Sequence, residues 1–287
     1  MPSAPPAQST AFLSLVSLPT GMPEPSFVST LADASGIDSY TLQLRLRQAL
    51  PTILGTVTAD RARRSIEAIL RMRGDGFAPT LADLLAFGAT IQLRSIDVEP
   101  GRLVCHPRRG QVRRIPLDDI DVIVRANLRA KSSEHTPLEL SSGEVSITGV
   151  GGITRSNMRG VYEPALSAAT ESFGGAKATR PQQINPVLDL HLRDGSVLQV
   201  LGRRFHFGVL GSRRAFHVGG NMDKLAELLA HLAPDAIIDP YYELWRAPTE
   251  VHRLRLPDQE LNREDRAFAF YSRWVSIMYT TLQHDPL

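Results

Sequence analysis

The stretch GRLVCHPRRGQVRRIPLDDIDVIVRA, residues 101–126, decides how this chain reads. Arg102–His106 has the alternation of a strand, with Leu103 and Cys105 on one side. Pro107-Arg-Arg-Gly110 is a turn, Gln111–Ile115 a second strand, and Pro116–Asp119 a bend. Ile120–Ala126 is an apolar strand. One more strand precedes them, marked by Ile91, Leu93 and Val98 and closed by the Glu99-Pro100-Gly101 turn. Short strands parted by turn residues predict an antiparallel meander over residues 89–129.

The rhythm resumes further on. Leu188, Leu190 and Leu192 alternate with Asp189, His191 and Arg193, Asp194-Gly195 is a two-residue hairpin signal, and Val197–Leu201 is its partner strand. Ala215–Val218 reads as one more short strand. Asn221 is the expected cap of a helix whose apolar face is Leu225, Leu228, Leu229 and Leu232, and which ends before Pro234. Between the halves lie Gly143, Gly149, Gly151, Gly152, Gly160, Gly174 and Gly175 against two aromatics, Tyr162 and Phe173. Such a composition buries little surface, so 130–185 reads as a Gly-rich insertion, either functional or a linker.

About seven short strands followed by one amphipathic helix resemble the pleckstrin-homology-like (PH-like) superfold. The run from Gly101-Arg-Leu-Val-Cys105 to Gln111-Val-Arg-Arg-Ile-Pro-Leu-Asp-Asp-Ile120 is similar to its bacterial versions, in which Ile-Pro-x-x-Asp-Ile leads into the next strand. The whole chain also resembles bacterial proteins of no assigned activity. The resemblance implies an antiparallel barrel with a capping C-terminal helix, and binding more often than catalysis.

On the other side, residues 1–10 read as a disordered leader and 11–88 as a small α/β unit. Its expected order is a strand at Phe12–Leu18, a helix from Pro25 to Ser35 ended by Gly36, and a helix capped by Asp38. A strand over Pro51–Val57, a helix capped by Thr58, and a return over Phe77–Leu85 follow. The tail, 235–287, holds eight of the aromatic residues, including both tryptophans, Trp245 and Trp274. From Ala267 to Leu282 it is a helix apolar on more than one face, which must be buried against something. It either completes the chain's own core or docks on a partner. The fold class expected is therefore α+β: an N-terminal α/β unit, a PH-like β domain over 89–234, and a helical tail.

Composition narrows the function. Lys and Arg total 32 against 30 acids, a formal charge of +2, which disfavours a dedicated nucleic-acid binder. Only Lys131, Lys177 and Lys224 are lysines; the other cations are Arg. Cys105 stands alone, so no internal disulfide forms. No apolar run approaches a membrane span, and the N-terminus lacks a secretion signal, so the expected location is cytoplasmic. Phosphate-loop, zinc-protease and nucleophile-elbow motifs are missing from the sequence.

Four constellations remain. Arg108, Arg109, Arg113 and Arg114, with Arg102 near, gather at one predicted hairpin and suit phosphates or carboxylates. His191, His206 and His217 would support a metal-dependent hydrolase if they converged. Asp118, Asp119 and Asp121 read as bend residues. Arg203, Arg204, Arg213 and Arg214 are interleaved with Phe205, Phe207 and Phe216, a pattern that can hold single-stranded nucleic acid but also fits a strand with Phe205 and Phe207 inward. The function expected is a non-enzymatic binding or scaffolding protein without cofactor, with a protein partner or self-association. The basic hairpin, Trp245 and Trp274 are its candidate contacts, and peripheral contact with an anionic membrane is a further option.

Overall fold

The computed structural model describes residues 10–18, 24–88, 90–129, 184–239, 241–249, 251–253 and 263–284. One compact unit comprises residues 1–128 and 185–287; the second unit, 129–184, contains the Gly-rich insertion, which lies outside the described residues, as does the leader apart from Thr10. The fold class is α+β.

The first part is built as local sequence dictates. Strand β1 (Thr10–Ser17) is followed by α1 (Pro25–Ser35), with Pro25 at its first turn and Gly36 closing it at φ 70°, the left-handed conformation that glycine adopts without strain. Helix α2 (Ser39–Leu46) is capped by the Asp38 carboxylate, which accepts from the Thr41 N–H at 2.8 Å. Strand β2 (Thr52–Thr58), α3 (Ala59–Arg71) and β3 (Asp75–Phe77) follow. The return strand is shorter than expected. A capping box between Thr80 and Asp83 starts a helix instead, α4 (Leu81–Leu85). The three strands form an antiparallel sheet in the order β2-β1-β3.

The second sheet has seven strands: β4 (Thr90–Glu99), β5 (Arg102–Pro107), β6 (Arg113–Pro116), β7 (Ile120–Arg129), β8 (Ile184–Leu192), β9 (Val197–Leu201) and β10 (Ile237–Asp239). Their order is β10-β7-β8-β9-β4-β5-β6. The first three strands form the expected meander, but β7 does not continue it. Strand β6 is four residues long and ends at Pro116, which has no N–H for a ladder. A 3-10 turn, Leu117–Asp119, then leads into β7, which lies between β10 and β8 and not beside β6. Strand β9 accordingly closes on β4 in parallel, with Ile91 opposite Leu198.

Two helices cover the faces of this sheet. Helix α5 (Val218–Leu232) packs Met222, Leu225 and Leu229 against Leu103, Cys105, Leu188, Leu190, Leu198 and Val200. Its cap is His217, not Asn221: the Nδ1 of His217 accepts from Gly220 N–H at 2.9 Å. Helix α6 (Arg263–His284) shares a core with Val122, Val124 and Val187 of the second sheet and with Phe12, Ile53 and Phe77 of the first. It is apolar on several faces because it lies between two sheets. The far side of the first sheet is closed by α1, α2 and α3 through Leu13, Leu15, Phe27, Leu31, Leu42 and Ile69. The order of layers is helices, sheet, α6, sheet, α5.

The tail therefore completes the chain's own core. Trp274 is fully buried, donating from its indole N–H to Ser14 Oγ at 2.9 Å, and Trp245 is buried against Tyr271 and Trp274. The expectation that these rings form a contact surface is corrected: burial removes both from solvent. Trp274→Ala is predicted to lower the unfolding free energy by about 3–5 kcal/mol, as for large aromatics deleted from cores. Urea unfolding followed by circular dichroism measures this, and a loss below about 1 kcal/mol would contradict the placement of α6.

Candidate functional site

The polar residues of β8 are buried, which alternation alone did not suggest. Asp189 and His191 are 3% and 1% exposed, because α6 covers the face they occupy. Ser272 donates its hydroxyl to Asp189 Oδ2 at 2.8 Å, and Gln199, opposite Asp189 on β9, donates to Oδ1 at 3.0 Å. The Nε2 of His191 is 2.7 Å from the same Ser272 oxygen. That hydroxyl has one hydrogen, already given to Asp189, so His191 donates from Nε2 and carries no proton on Nδ1. Nδ1 has no hydrogen-bond partner among the described residues. Arg273 is buried beside them and donates to the Leu84 carbonyl at 3.4 Å, while Phe87 meets the His191 ring edge-on at 5.5 Å.

The trio of Ser, His and Asp is not wired for nucleophilic catalysis. In a triad the acid orients the histidine and the histidine takes the serine proton. Here the acid holds the serine itself, and Ser272 is fully buried. The network joins α4, β8, β9 and α6. A second one does the same nearby: Tyr271 and Tyr279 donate to the two oxygens of Asp239, at 2.7 and 3.2 Å, and burial raises the pKa of all three groups.

The other expected constellations separate. His206 and His217 are exposed while His191 is buried, so the three histidines do not converge. Among the described residues no three His, Cys, Asp or Glu side chains are placed to hold a metal ion. Asp121 pairs with Arg193 at 3.2 Å, consistent with a role at the bend. Cys105 is buried in the core, and burial pushes its thiol up to about 12 despite Arg113 nearby.

The predicted basic hairpin divides. Arg102 pairs with Glu99 at the β4–β5 end, and Arg113 reaches Asp194 and Ser196, each at 3.4 Å. Arg108, Arg109 and Arg114 are exposed and form no ion pair among the described residues. The turn carrying Arg108 hydrogen-bonds β4, from Arg108 N–H to the Gln92 carbonyl at 2.8 Å. Two residues along, the Arg94 carbonyl accepts from His206 N–H, also at 2.8 Å. The structure thus sets the Arg108–Arg109 turn and the start of the 203–217 segment against the same stretch of β4, which also carries the exposed Arg94.

That segment is two 3-10 turns, Gly202–Arg204 and Phe207–Arg213, where a strand was expected. Phe205 and Phe207 do point inward, in edge-to-face contact at 5.0 Å, and Leu210 is buried with them. Arg203, Arg204, His206, Arg213, Arg214 and His217 are exposed, and Phe216 is fully so. The segment is held firmly. Asn221 clamps Ala215 from both sides, accepting from its N–H at 2.7 Å and donating to its carbonyl at 3.1 Å. Lys224 donates to the Arg213 carbonyl at 2.6 Å. Phe216 therefore sits between a clamped residue and a helix cap, with its ring in water. A recess of about 190 Å³ is lined by Arg213 of this segment together with Lys224, Glu227, Leu228 and His231.

Reading the sequence alone missed Ser272 and Gln199 as partners of Asp189, and missed Phe216 as the exposed ring. A signal for the second was present: no Asp or Glu occurs between Asp194 and Asp223. No family model matches the chain, and neither a curated protein nor a solved structure is significantly similar to it.

The buried pair makes a prediction with a sign. Burial, against hydrogen bonds from Ser272 and Gln199 and the charge of Arg273, raises Asp189 from 3.8 to about 6. The folded state thus keeps a proton that the unfolded chain releases, and this contribution to stability is lost as pH rises through that window. Burial and then Arg273 push His191 down from 6.5 to about 3, so its contribution is lost as pH falls. Between 3.8 and about 6 the two slopes oppose. Asp189→Asn removes one of them. Its stability relative to the parent protein should rise with pH across this window, by up to about 1.4 kcal/mol per pH unit. Urea titrations at several pH values test this, and parallel curves would contradict it.

Proposed function

We propose that this protein is a non-enzymatic binding and scaffolding protein whose contact surface is the cationic segment 203–217 with the adjoining Arg108–Arg109 turn. The observation that carries the reading is Phe216, a fully exposed aromatic ring on a clamped backbone, flanked by Arg213 and Arg214. Leaving such a ring in water is unfavourable for an isolated chain, and aromatic residues with Arg are the usual anchors of contact surfaces. The arginines beside it form no ion pair among the described residues, so binding an acidic surface breaks no ion pair there. The buried groups argue in the same direction. Asp189, Ser272 and His191 are buried and committed to joining layers.

The expected protein partner or second copy is one form of this reading. The PH-like resemblance, with its bias toward binding, favours it as well. No helix among the described residues is long and apolar enough to cross a membrane.

A photoreactive phenylalanine analogue at position 216, expressed in the native cells, provides the test. Irradiation should yield adducts that are lost when Arg213 and Arg214 are changed to Glu. The same analogue at position 40, where Tyr40 is also exposed, serves as the control. Equal adduct patterns at the two positions would refute segment 203–217 as the contact surface.

A further inference from the structure

Resting on the binding reading, we infer that the surface around Phe216 docks on an anionic lipid bilayer, with the ring entering the headgroup region and the arginines lying over acidic headgroups. Three observations select this partner. The first is charge. Segment 202–217 contains Arg203, Arg204, Arg213 and Arg214 and no acid, in a chain whose formal charge is only +2. The nearest acids by sequence are engaged or apart: Asp194 holds Arg113 and Ser196, and Asp223 pairs with Arg125. Glu227 lies in the recess with Arg213, Lys224 and His231, a minority charge there.

The second is the number of available rings. Single-stranded nucleic acid is held by several aromatics on which successive bases stack. Phe205 and Phe207 are 7% and 4% exposed, so the core has taken two of the three rings. One ring with flanking cations is instead the form of a membrane-surface anchor.

The third is shape. A small-molecule ligand needs a pocket, and such pockets run to about 300–1,000 Å³. The recess beside Arg213 is about 190 Å³ and holds Glu227. A bilayer needs no groove. It offers a flat, diffuse negative field, which attracts each nearby Arg independently. The firm backbone at Ala215 and His217 keeps the ring pointing outward before contact, so little order is lost on docking.

The test is flotation of the full chain with vesicles of phosphatidylcholine alone and of phosphatidylcholine with about a quarter phosphatidylglycerol. The protein should float with the anionic vesicles only, and binding should fall as salt rises. R213Q/R214Q should weaken it about 25-fold, near five-fold per cation. Phe216→Ala should weaken it about ten-fold, and Phe216→Trp should keep it. Position 216 is fully exposed, so these variants fold, which circular dichroism checks. Equal binding to neutral vesicles, no binding to either, or indifference to Phe216→Ala overturns the inference. Tighter binding to an oligonucleotide or to polyglutamate with the same variant dependence also overturns it. If vesicles are ignored while position 216 crosslinks a protein in cells, the bilayer fails and the binding reading stands. If both experiments are negative, both readings fail.

Discussion

A carboxylate taken out of water constrains much of this fold. Asp189 sits on the central region of a seven-stranded sheet, on the face covered by α6. Burying a carboxyl without partners is unfavourable by several kcal/mol, so its neighbours must be in place together. Gln199 comes from the paired strand, Ser272 from α6, and the Arg273 charge from the next residue of the same helix. Arg273 in turn reaches the last turn of α4. One side chain thus requires the second sheet, the C-terminal helix and the N-terminal unit to meet at one point. Apolar burial supplies most of the driving force, but it is non-directional. The network sets the register in which α6 lies between the sheets.

Ser272 and Trp274 illustrate how one helix serves two sheets. They are two residues apart, on nearly opposite sides of α6. Ser272 meets β8 of the second sheet, and Trp274 meets Ser14 on β1 of the first. The first sheet then needs its own outer cover, supplied by α1, α2 and α3. The second is covered on its other face by α5. The same α5 carries Asn221, whose amide clamps the backbone before Phe216. The exposed ring is in this way a product of the core, presented by a frame rather than by a loose loop.

What was legible in the sequence was what is encoded within a few residues. Gly36 ends α1, Asp38 caps α2, and Asp194-Gly195 turns the β8–β9 hairpin with Gly195 at φ 78°. These depend on local hydrogen bonds and backbone freedom. The inward placement of Phe205 and Phe207 was also legible, but their 3-10 backbone was not, since two closely spaced inward rings fit either form. The parallel pairing of β9 with β4 was hidden because nothing within either strand names its neighbour. Asp189 and His191 read as outward residues because alternation reports that two faces differ, not that both are covered. The covering helix begins some 70 residues later, and only its apolar surface on several sides hinted at the burial. Of the candidate contacts, Arg108, Arg109 and Arg114 remain at the surface, whereas Trp245 and Trp274 were drawn into the core by the same apolarity that marked them.

The most direct test of this account is native-state hydrogen exchange, because it asks whether α6 is an integral layer or a detachable tail. With α6 held by Asp189 and Trp274 between the sheets, its central amides and those of β8 should exchange only through global unfolding, at one shared free energy. Ser272→Ala should lower both together. Central α6 amides exchanging at a clearly lower free energy than β8, with β8 unmoved by Ser272→Ala, would contradict the account.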